Sequence, residues 1–310
     1  MIAAAYSAKD RKRWDAFVRN SRNGTLLFER AYMEYHAERF VDASLIIDEA
    51  DAALALLPAS RHDNTIRSHG GLTYGGFITD GRMRVEKMLR TFDTALAFYN
   101  SIGITRLEYK AIPHIYHRAP AEEDAYALFR LGAQLLKREP SAALHLLDTD
   151  LPGKKRNGAA RAAQLGLRLE QVSTADALMA LINTNLQLRH GVSAVHSAAE
   201  MNLLRAAFPR SIEIFHVSDG DGLLVGGAIV YVAGPVAHTQ YLVASEAGRA
   251  ARAMDFLIHA LAARYREGCQ WLEFGISTEA GGQVLNEGLM SQKEEFGARC
   301  VCYDTYVIDL

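Results

Sequence analysis

The chain has 310 residues, 49 % of them hydrophobic and 23 % charged, with a formal net charge of −2. That length accommodates two domains of ordinary size, and the composition is that of a globular protein rather than a disordered or fibrous one. A charge balance so near neutral gives no grip on duplex nucleic acid, and no apolar run reaches the length of a membrane span, so neither duplex nucleic acid nor membrane insertion is expected.

In chain order, Trp14 and Phe17 fall in a short N-terminal helix that Asn23-Gly24 breaks. Residues 28–40 follow a helical period, with Tyr32, Tyr35, His36 and Phe40 near one face. Residues 44–47 and 52–57 read as strands joined by the acidic turn Asp48-Glu-Ala-Asp51. The glycine-rich stretch Ile66 to Phe77 reads as a strand approached closely by a ligand or another backbone. A helix over 82–100 packs Met83, Met88, Leu89, Phe92, Leu96 and Tyr99 inward, and a strand over 106–110 follows. Leu151-Pro-Gly-Lys-Lys-Arg-Asn-Gly158 has the composition of an inter-domain linker. The second half carries helices over 174–188 and 197–207, then a meander through the hairpin turn Asp219-Gly-Asp-Gly222. A helix over 280–295 and an alternating strand over 298–309 close the chain.

Two stretches share one order of residues. Tyr74, Gly81-Arg82, Gly103 and Leu107-Glu108 match Tyr241, Gly248-Arg249, Gly268 and Leu272-Glu273. Both spell strand, Gly-Arg turn, helix, Gly, strand, which points to an internal duplication. The class is therefore α+β with two similar mixed-sheet domains. A turn opening a helix leaves unpaired N–H groups that suit an anion, so Gly248, Arg249 and Ala250 are candidate phosphate contacts. The three cysteines, Cys269, Cys300 and Cys302, are odd in number, and Cys300-x-Cys302 is neither a redox pair nor half of a zinc site. They suit a reducing compartment. The N-terminus lacks a signal peptide's order of charge and apolar core, so the expected location is cytoplasmic, with no metal and no disulfide.

The meander, the Gly-Arg turn with its helix, Leu272-Glu-Phe-Gly-Ile-Ser277 and Asn286-Glu-Gly-Leu-Met-Ser-Gln-Lys-Glu-Glu-Phe-Gly297 resemble a GNAT-fold acyltransferase domain. More closely, they resemble the tandem-GNAT proteins related to the Fem aminoacyltransferases of peptidoglycan synthesis. Lys154-Lys-Arg-Asn157, a helix and Gly166-Leu-Arg-Leu169 are similar to the segment that opens the second domain there. His69-Gly-Gly-Leu-Thr-Tyr-Gly-Gly76 and Pro113-His-Ile-Tyr-His117 resemble a subgroup associated with cell-envelope polysaccharide genes. The resemblance spans nearly the whole chain. It implies two tandem GNAT-like domains, 1–150 and 151–310, each a mixed β-sheet flanked by helices. It also implies an N-acyltransferase that carries an acyl group, acetyl in the first instance, from acyl-CoA to an amino group of an amino sugar or related envelope precursor. The acceptor would be a small molecule or a nucleotide- or lipid-linked sugar.

The chain departs from the family at the acyl-CoA pyrophosphate loop, where Ser245-Glu-Ala-Gly-Arg-Ala250 and Ile78-Thr-Asp-Gly-Arg-Met83 match only in part. Two other readings follow. One replaces acyl-CoA by aminoacyl-tRNA, as in the Fem proteins; the missing helical arm and the net charge of −2 count against tRNA. The other is a non-catalytic tandem domain that binds an envelope precursor.

Acyl transfer to an amine needs a positioned donor carbonyl, stabilisation of the developing oxyanion and a base near neutrality. His114, Tyr116 and His117 lie just past the strand 106–110, and histidine titrates in the useful range. Lys110 ends that strand with a cation, and His69 and Tyr74 sit in the glycine-rich stretch. In the second half, Glu279 lies at a strand exit, and Asn286 and Lys293, seven apart, share a helix face, a pair that the resemblance favours as functional. His196 lies in a loop, and Gln240 and Tyr241 lie on the strand before the Gly-Arg turn, where His238 and Gln240 share a face. The expectation is a composite site in an inter-domain cleft. His117 or Glu279 would be the base, Lys293 would hold an anionic group, and Tyr74 would pack on the acceptor ring.

Overall fold

The structure is a computed structural model that describes every residue except Asp148 and Thr149. The chain divides into two compact units. The first comprises Met1–Pro140, Thr278–Val284 and Val301–Leu310; the second comprises Ser141–Ser277 and Leu285–Cys300.

In the first unit, Ile2–Ala5, Leu45–Glu49, Ala52–Leu57 and Ile78–Thr79 form a four-stranded sheet. The acidic turn within it is made by Ala50 and Asp51, both with positive φ. A second group pairs Val41–Asp42, Ser60–His62 and Thr65–Arg67 antiparallel, then Thr65–Arg67 parallel to Arg106–Lys110. The helix Val85–Ser101 lies between those parallel strands in sequence, as a parallel crossover requires. Its face of Met88, Phe92, Ala95 and Tyr99 joins Leu45, Leu57, Ile66 and Leu107 in one core. Residues 28–40, read as one helix, form only Arg30–Met33 between short 3-10 turns.

The second unit opens with the helix Gly153–Gln164, which occupies most of the stretch that reads as a linker. Arg168–Val172, Ile212–Ser218, Leu224–Ala233 and Val236–Ala244 run antiparallel in sequence. Val236–Ala244 then pairs parallel with Trp271–Ile276, with the helices Glu246–Ala250 and Ala253–Tyr265 between them in the chain. Leu257, Ile258 and Leu261 of the longer helix pack on Ala237, Leu272 and Phe274. The helix read over 280–295 is confined to Glu287–Glu294. Ala280–Gly282 make only a short 3-10 turn, with positive φ at Gly281 and Gly282, and Asn286 caps the start of the α-helix by accepting from Leu289 N at 3.0 Å.

The two units repeat one motif. Thr65↔Arg106, Ile66↔Leu107 and Arg67↔Glu108 in the first have the same parallel register as Val236↔Trp271, Ala237↔Leu272 and His238↔Glu273 in the second. Leu107 and Leu272 thus hold equivalent places, and both are fully buried. The match of Tyr74 with Tyr241 and of Gly81-Arg82 with Gly248-Arg249 does not hold in space. Tyr74 lies in a loop, and Gly81-Arg82 form a turn two residues before the helix at Val85. Leu107→Ala and Leu272→Ala should each lower the unfolding free energy by about 2–5 kcal/mol, the range for emptying a sealed leucine site. Chemical denaturation measures this; a near-neutral change at either would break the equivalence.

Candidate active site

In the second unit the parallel pairing lasts for the three residue pairs that end at His238↔Glu273. Thr239 Oγ1 donates to Glu273 O at 3.0 Å as the last tie, and beyond it the strands part. Each strand has a local cause. On one, the register slips so that Tyr241 faces Ile229 and Thr239 faces Val230, leaving Gln240 as an extra, bulged residue. On the other, Gly275 has φ +77, a conformation open chiefly to glycine.

The gap is a cavity of about 310 Å³. Met254, Ile258, Phe274, Leu289 and Phe296 give it apolar walls, with Thr239, Gln240, Gln292 and Lys293 as polar members. A second cavity of about 380 Å³ shares Tyr241, Leu242, Met254, Leu289 and Gln292 with the first, and adds Asn185, Arg189 and Arg249. Together they make one groove, apolar where the strands part and cationic at the far end. Among the described residues no group of His, Cys, Asp and Glu is placed to hold a metal ion, and no helix is long and apolar enough to cross a membrane.

At the root of the gap, His238 Nδ1 is bonded to Glu273 Oε2, and Ser141 Oγ donates to Glu273 Oε1. Gly275 N also donates to Oε1, at 2.8 Å. Burial alone would raise the Glu273 carboxyl, but His238, Ser141 and the Gly275 N–H outweigh it and hold it below the usual carboxylate range. Glu273 is therefore an ionised, fully buried carboxylate facing an imidazole. In the neutral ring with its hydrogen on Nδ1 toward Glu273, Nε2 is the acceptor nitrogen. The sequence names both residues without joining them.

Lys293 is buried and donates to Gly275 O at 2.7 Å, Ile276 O at 3.0 Å and Ser277 Oγ at 2.9 Å. All three ammonium hydrogens are used, so the side chain pins the exit of the strand Trp271–Ile276. Burial pulls its pKa down to about 8, against the opposing pull of Glu273. In the unfolded chain lysine keeps its proton to about pH 10.4. Between those values the unfolded state binds the extra proton, so stability rises with pH. The stability of the native protein relative to a Lys293→Met variant should climb as pH is raised from about 8 to about 10. A difference that stays flat in denaturant titrations across that window would refute the desolvated ammonium.

The Gly-Arg turn of this unit is the helix Glu246–Ala250, capped by Ser245, whose hydroxyl accepts from Gly248 N at 3.0 Å. A Cβ on Gly248 would collide with Val225 O, so glycine here lets the helix lie against the neighbouring strand. The Gly248 N–H is thus already committed, which corrects its reading as a phosphate donor. Ala250 is exposed and carries no polar side-chain atom. Arg249 does line the groove; it donates to Ala244 O at 2.7 Å and Asn185 Oδ1 at 3.3 Å. Gly248→Ala should cost about 1–3 kcal/mol by overpacking. A thermal melt without ligand reads this; an unchanged midpoint would restore the phosphate explanation for the glycine.

The first unit closes the equivalent gap with its own chain. After Arg67↔Glu108, Ser68 N still donates to Glu108 O at 2.9 Å, and the loop to Phe77 then fills the space. Ser68 Oγ accepts from Lys110 N at 2.7 Å, Gly75 N donates to Lys110 O at 3.1 Å, and Phe77 N donates to Tyr109 OH at 2.8 Å. Lys110 Nζ donates to His69 O at 3.1 Å and Leu72 O at 2.7 Å, so this cation braces the loop rather than facing a ligand. Burial, then Lys137, pulls it down to about 8.

The other candidates of this unit are placed as follows. His69 is buried against His36 and Phe40, and burial pushes it down to about 3. Tyr74 is buried, donates to Thr25 Oγ1 at 3.2 Å and packs on Tyr116 at 4.4 Å, so its ring is not presented to an acceptor. Tyr116 is buried with its hydroxyl 2.9 Å from that of Tyr303. His114 is exposed. His117 is pushed down to about 4, by burial and then His114, and its buried Nε2 has no partner among the described residues. Glu279 is exposed beside Ala280. In the second unit, Asn286 is a helix cap, and His196 Nδ1 lies 2.8 Å from the hydroxyl of Tyr241. The structure thus gathers Gln240, Tyr241 and Lys293 round one cavity, with Tyr241 and Arg249 on the adjoining one.

Residues 153–281 match the family described as acetyltransferase (GNAT) domain. None of the curated protein sequences matches this chain. Among solved structures, FemX aligns with a TM-score of 0.73 at 12 % identity, covering 100 % of this chain and 98 % of that one. L-PGS from Bacillus licheniformis aligns at 0.63 and 12 % identity, covering 99 % and 93 %. A tandem GNAT protein from the clavulanic acid biosynthesis pathway aligns at 0.53 and 13 % identity, covering 99 % and 98 %. At such identities the likeness is one of fold.

Proposed function

We propose, on the premise that the chain is a tandem GNAT-fold protein of FemAB-like architecture, that it transfers an acyl group from an acyl thioester of the coenzyme A type to an amine. The amine belongs to an amino sugar or a related envelope precursor, the acceptor class that the resemblance implies. The observation that carries this reading is the groove of the second unit. It is apolar where the strands part and holds Arg189 and Arg249 at the other end, and His238–Glu273 is the last paired rung before the strands part.

The donor lies along the groove with its anionic end by the arginines, which suit phosphate oxygens. Its thioester reaches the gap, where the edges of the parted strands leave room for an extended chain. The acceptor nitrogen attacks the thioester carbonyl carbon; a C–N bond forms and the C–S bond breaks. His238 Nε2 takes the proton from the amine nitrogen and returns it to the departing sulfur, which leaves as the thiol. Glu273 holds the ring and offsets the imidazolium charge. We assign the base's role to His238 rather than to His117 or Glu279. Burial pushes His117 down to about 4, which makes it a weak base, and Glu279 is an exposed surface acid. Lys293 acts by holding the strand exit and by its charge near the developing oxyanion. Gln240 and Tyr241 line the donor's path.

The donor sits in the second unit because the first unit's gap is filled by the loop that Lys110 braces. His238→Ala should lower kcat/KM by about 10²- to 10⁴-fold while donor affinity and the melting midpoint stay near those of the native protein. Calorimetric titration with acetyl-CoA, paired with turnover on an amino-sugar acceptor, measures both. Undiminished turnover in the variant would remove His238 from the mechanism.

A further inference from the structure

We infer that the group transferred is an uncharged, apolar acyl chain longer than acetyl, and not an aminoacyl group. This rests on the acyltransferase reading above and concerns the end of the groove where the strands part. Three observations carry it. The first is size and lining. The cavity of about 310 Å³ is walled by Met254, Ile258, Phe274, Leu289 and Phe296. A two-carbon acyl group leaves most of that apolar wall uncovered, and each methylene moved from water onto such a wall adds about fourfold in affinity.

The second is charge. An aminoacyl group carries an ammonium beside the reacting carbonyl, and a buried ammonium needs a counter-ion or a set of acceptors. No Asp or Glu side chain lines the cavity, and the one ionic group that does is the Lys293 ammonium, of like sign. The third is that the acceptors at the strand exit already serve one ammonium. The carbonyls of Gly275 and Ile276 and the hydroxyl of Ser277 already receive Lys293 Nζ. A second ammonium in that corner would meet the like charge of Lys293 with only neutral side chains such as Gln240 and Gln292 to receive it, whereas a hydrocarbon chain finds Phe274 and Phe296. The transfer is the one written above, with the C–N bond formed and the C–S bond broken at the thioester carbon; only the substituent on that carbon is specified here.

The test is a titration of the full chain with coenzyme A and with acetyl-, butanoyl-, hexanoyl- and β-alanyl-coenzyme A, followed by calorimetry. Butanoyl and β-alanyl are nearly the same size and differ in a terminal methyl against a terminal ammonium. The expected result is hexanoyl-CoA at least tenfold tighter than acetyl-CoA, and butanoyl-CoA at least tenfold tighter than β-alanyl-CoA. Affinity independent of chain length, or β-alanyl-CoA equal to or tighter than butanoyl-CoA, overturns the inference while leaving the acyltransferase reading in place. Binding of none of these compounds overturns the acyltransferase reading itself.

Discussion

Everything that can do chemistry in the second unit depends on where two parallel strands stop pairing. Val236–Ala244 and Trp271–Ile276 hold together through His238↔Glu273 and then part, one because Gln240 is bulged and the other because Gly275 turns at φ +77. A continued ladder would consume the edge atoms of both strands in each other. The break opens a cavity in the middle of a packed domain without exposing its core, because the helix Ala253–Tyr265 still covers Ala237 and Leu272 below it. The acid–base pair stands on the last paired rung. It inherits the rigidity of the sheet while adjoining the space where the sheet ends.

The same rung exists in the first unit with a different outcome. Arg67 Nε donates to Glu108 Oε2 at 2.8 Å where His238 meets Glu273, so a permanent cation stands in place of a titrating ring. The following backbone returns into the gap as a glycine-rich loop instead of leaving it open. Gly76, at φ +83, lies so close to Tyr109 that a side chain there would strike the phenol. One copy of the motif therefore keeps its space open and the other fills it from within. Both use a desolvated lysine to hold carbonyl oxygens at the edge, Lys293 in one and Lys110 in the other.

The repeat was legible in the sequence where it rests on local pattern. An apolar residue followed by Glu, after a helix ending near glycine, marked Leu107-Glu108 and Leu272-Glu273, and both fall on equivalent strands. Lys293 and Tyr241, both singled out in the sequence, come to line one cavity because the strand and helix pattern that places them survives folding. The partnership of His238 with Glu273 was not, because the residues are 35 apart and joined only by a parallel register that no local signal states. Glycine was ambiguous for a physical reason: Gly248 for helix–strand contact and a glycine for a phosphate look alike in one sequence. Tyr74 and Lys110 misled in the same way, since a glycine-rich stretch reads equally as a ligand-facing strand and as a plug for a gap. Asn286 read as a helix-face residue because the start of the helix was placed too early; its side chain in fact caps the first turn rather than decorating a face.

The bonds of Lys293 also bear on selectivity. In the reaction proposed above a reactive thioester would endanger the protein's own amines, and a lysine with its pKa lowered to about 8 is the kind of nucleophile such a reagent would modify. Acylation requires a free electron pair on nitrogen. While the ammonium gives one hydrogen each to Gly275 O, Ile276 O and Ser277 Oγ, it has no such pair, and losing a proton would forfeit one of those bonds. The strand exit that Lys293 supports thus protects Lys293 in turn, keeping it out of the proposed reaction.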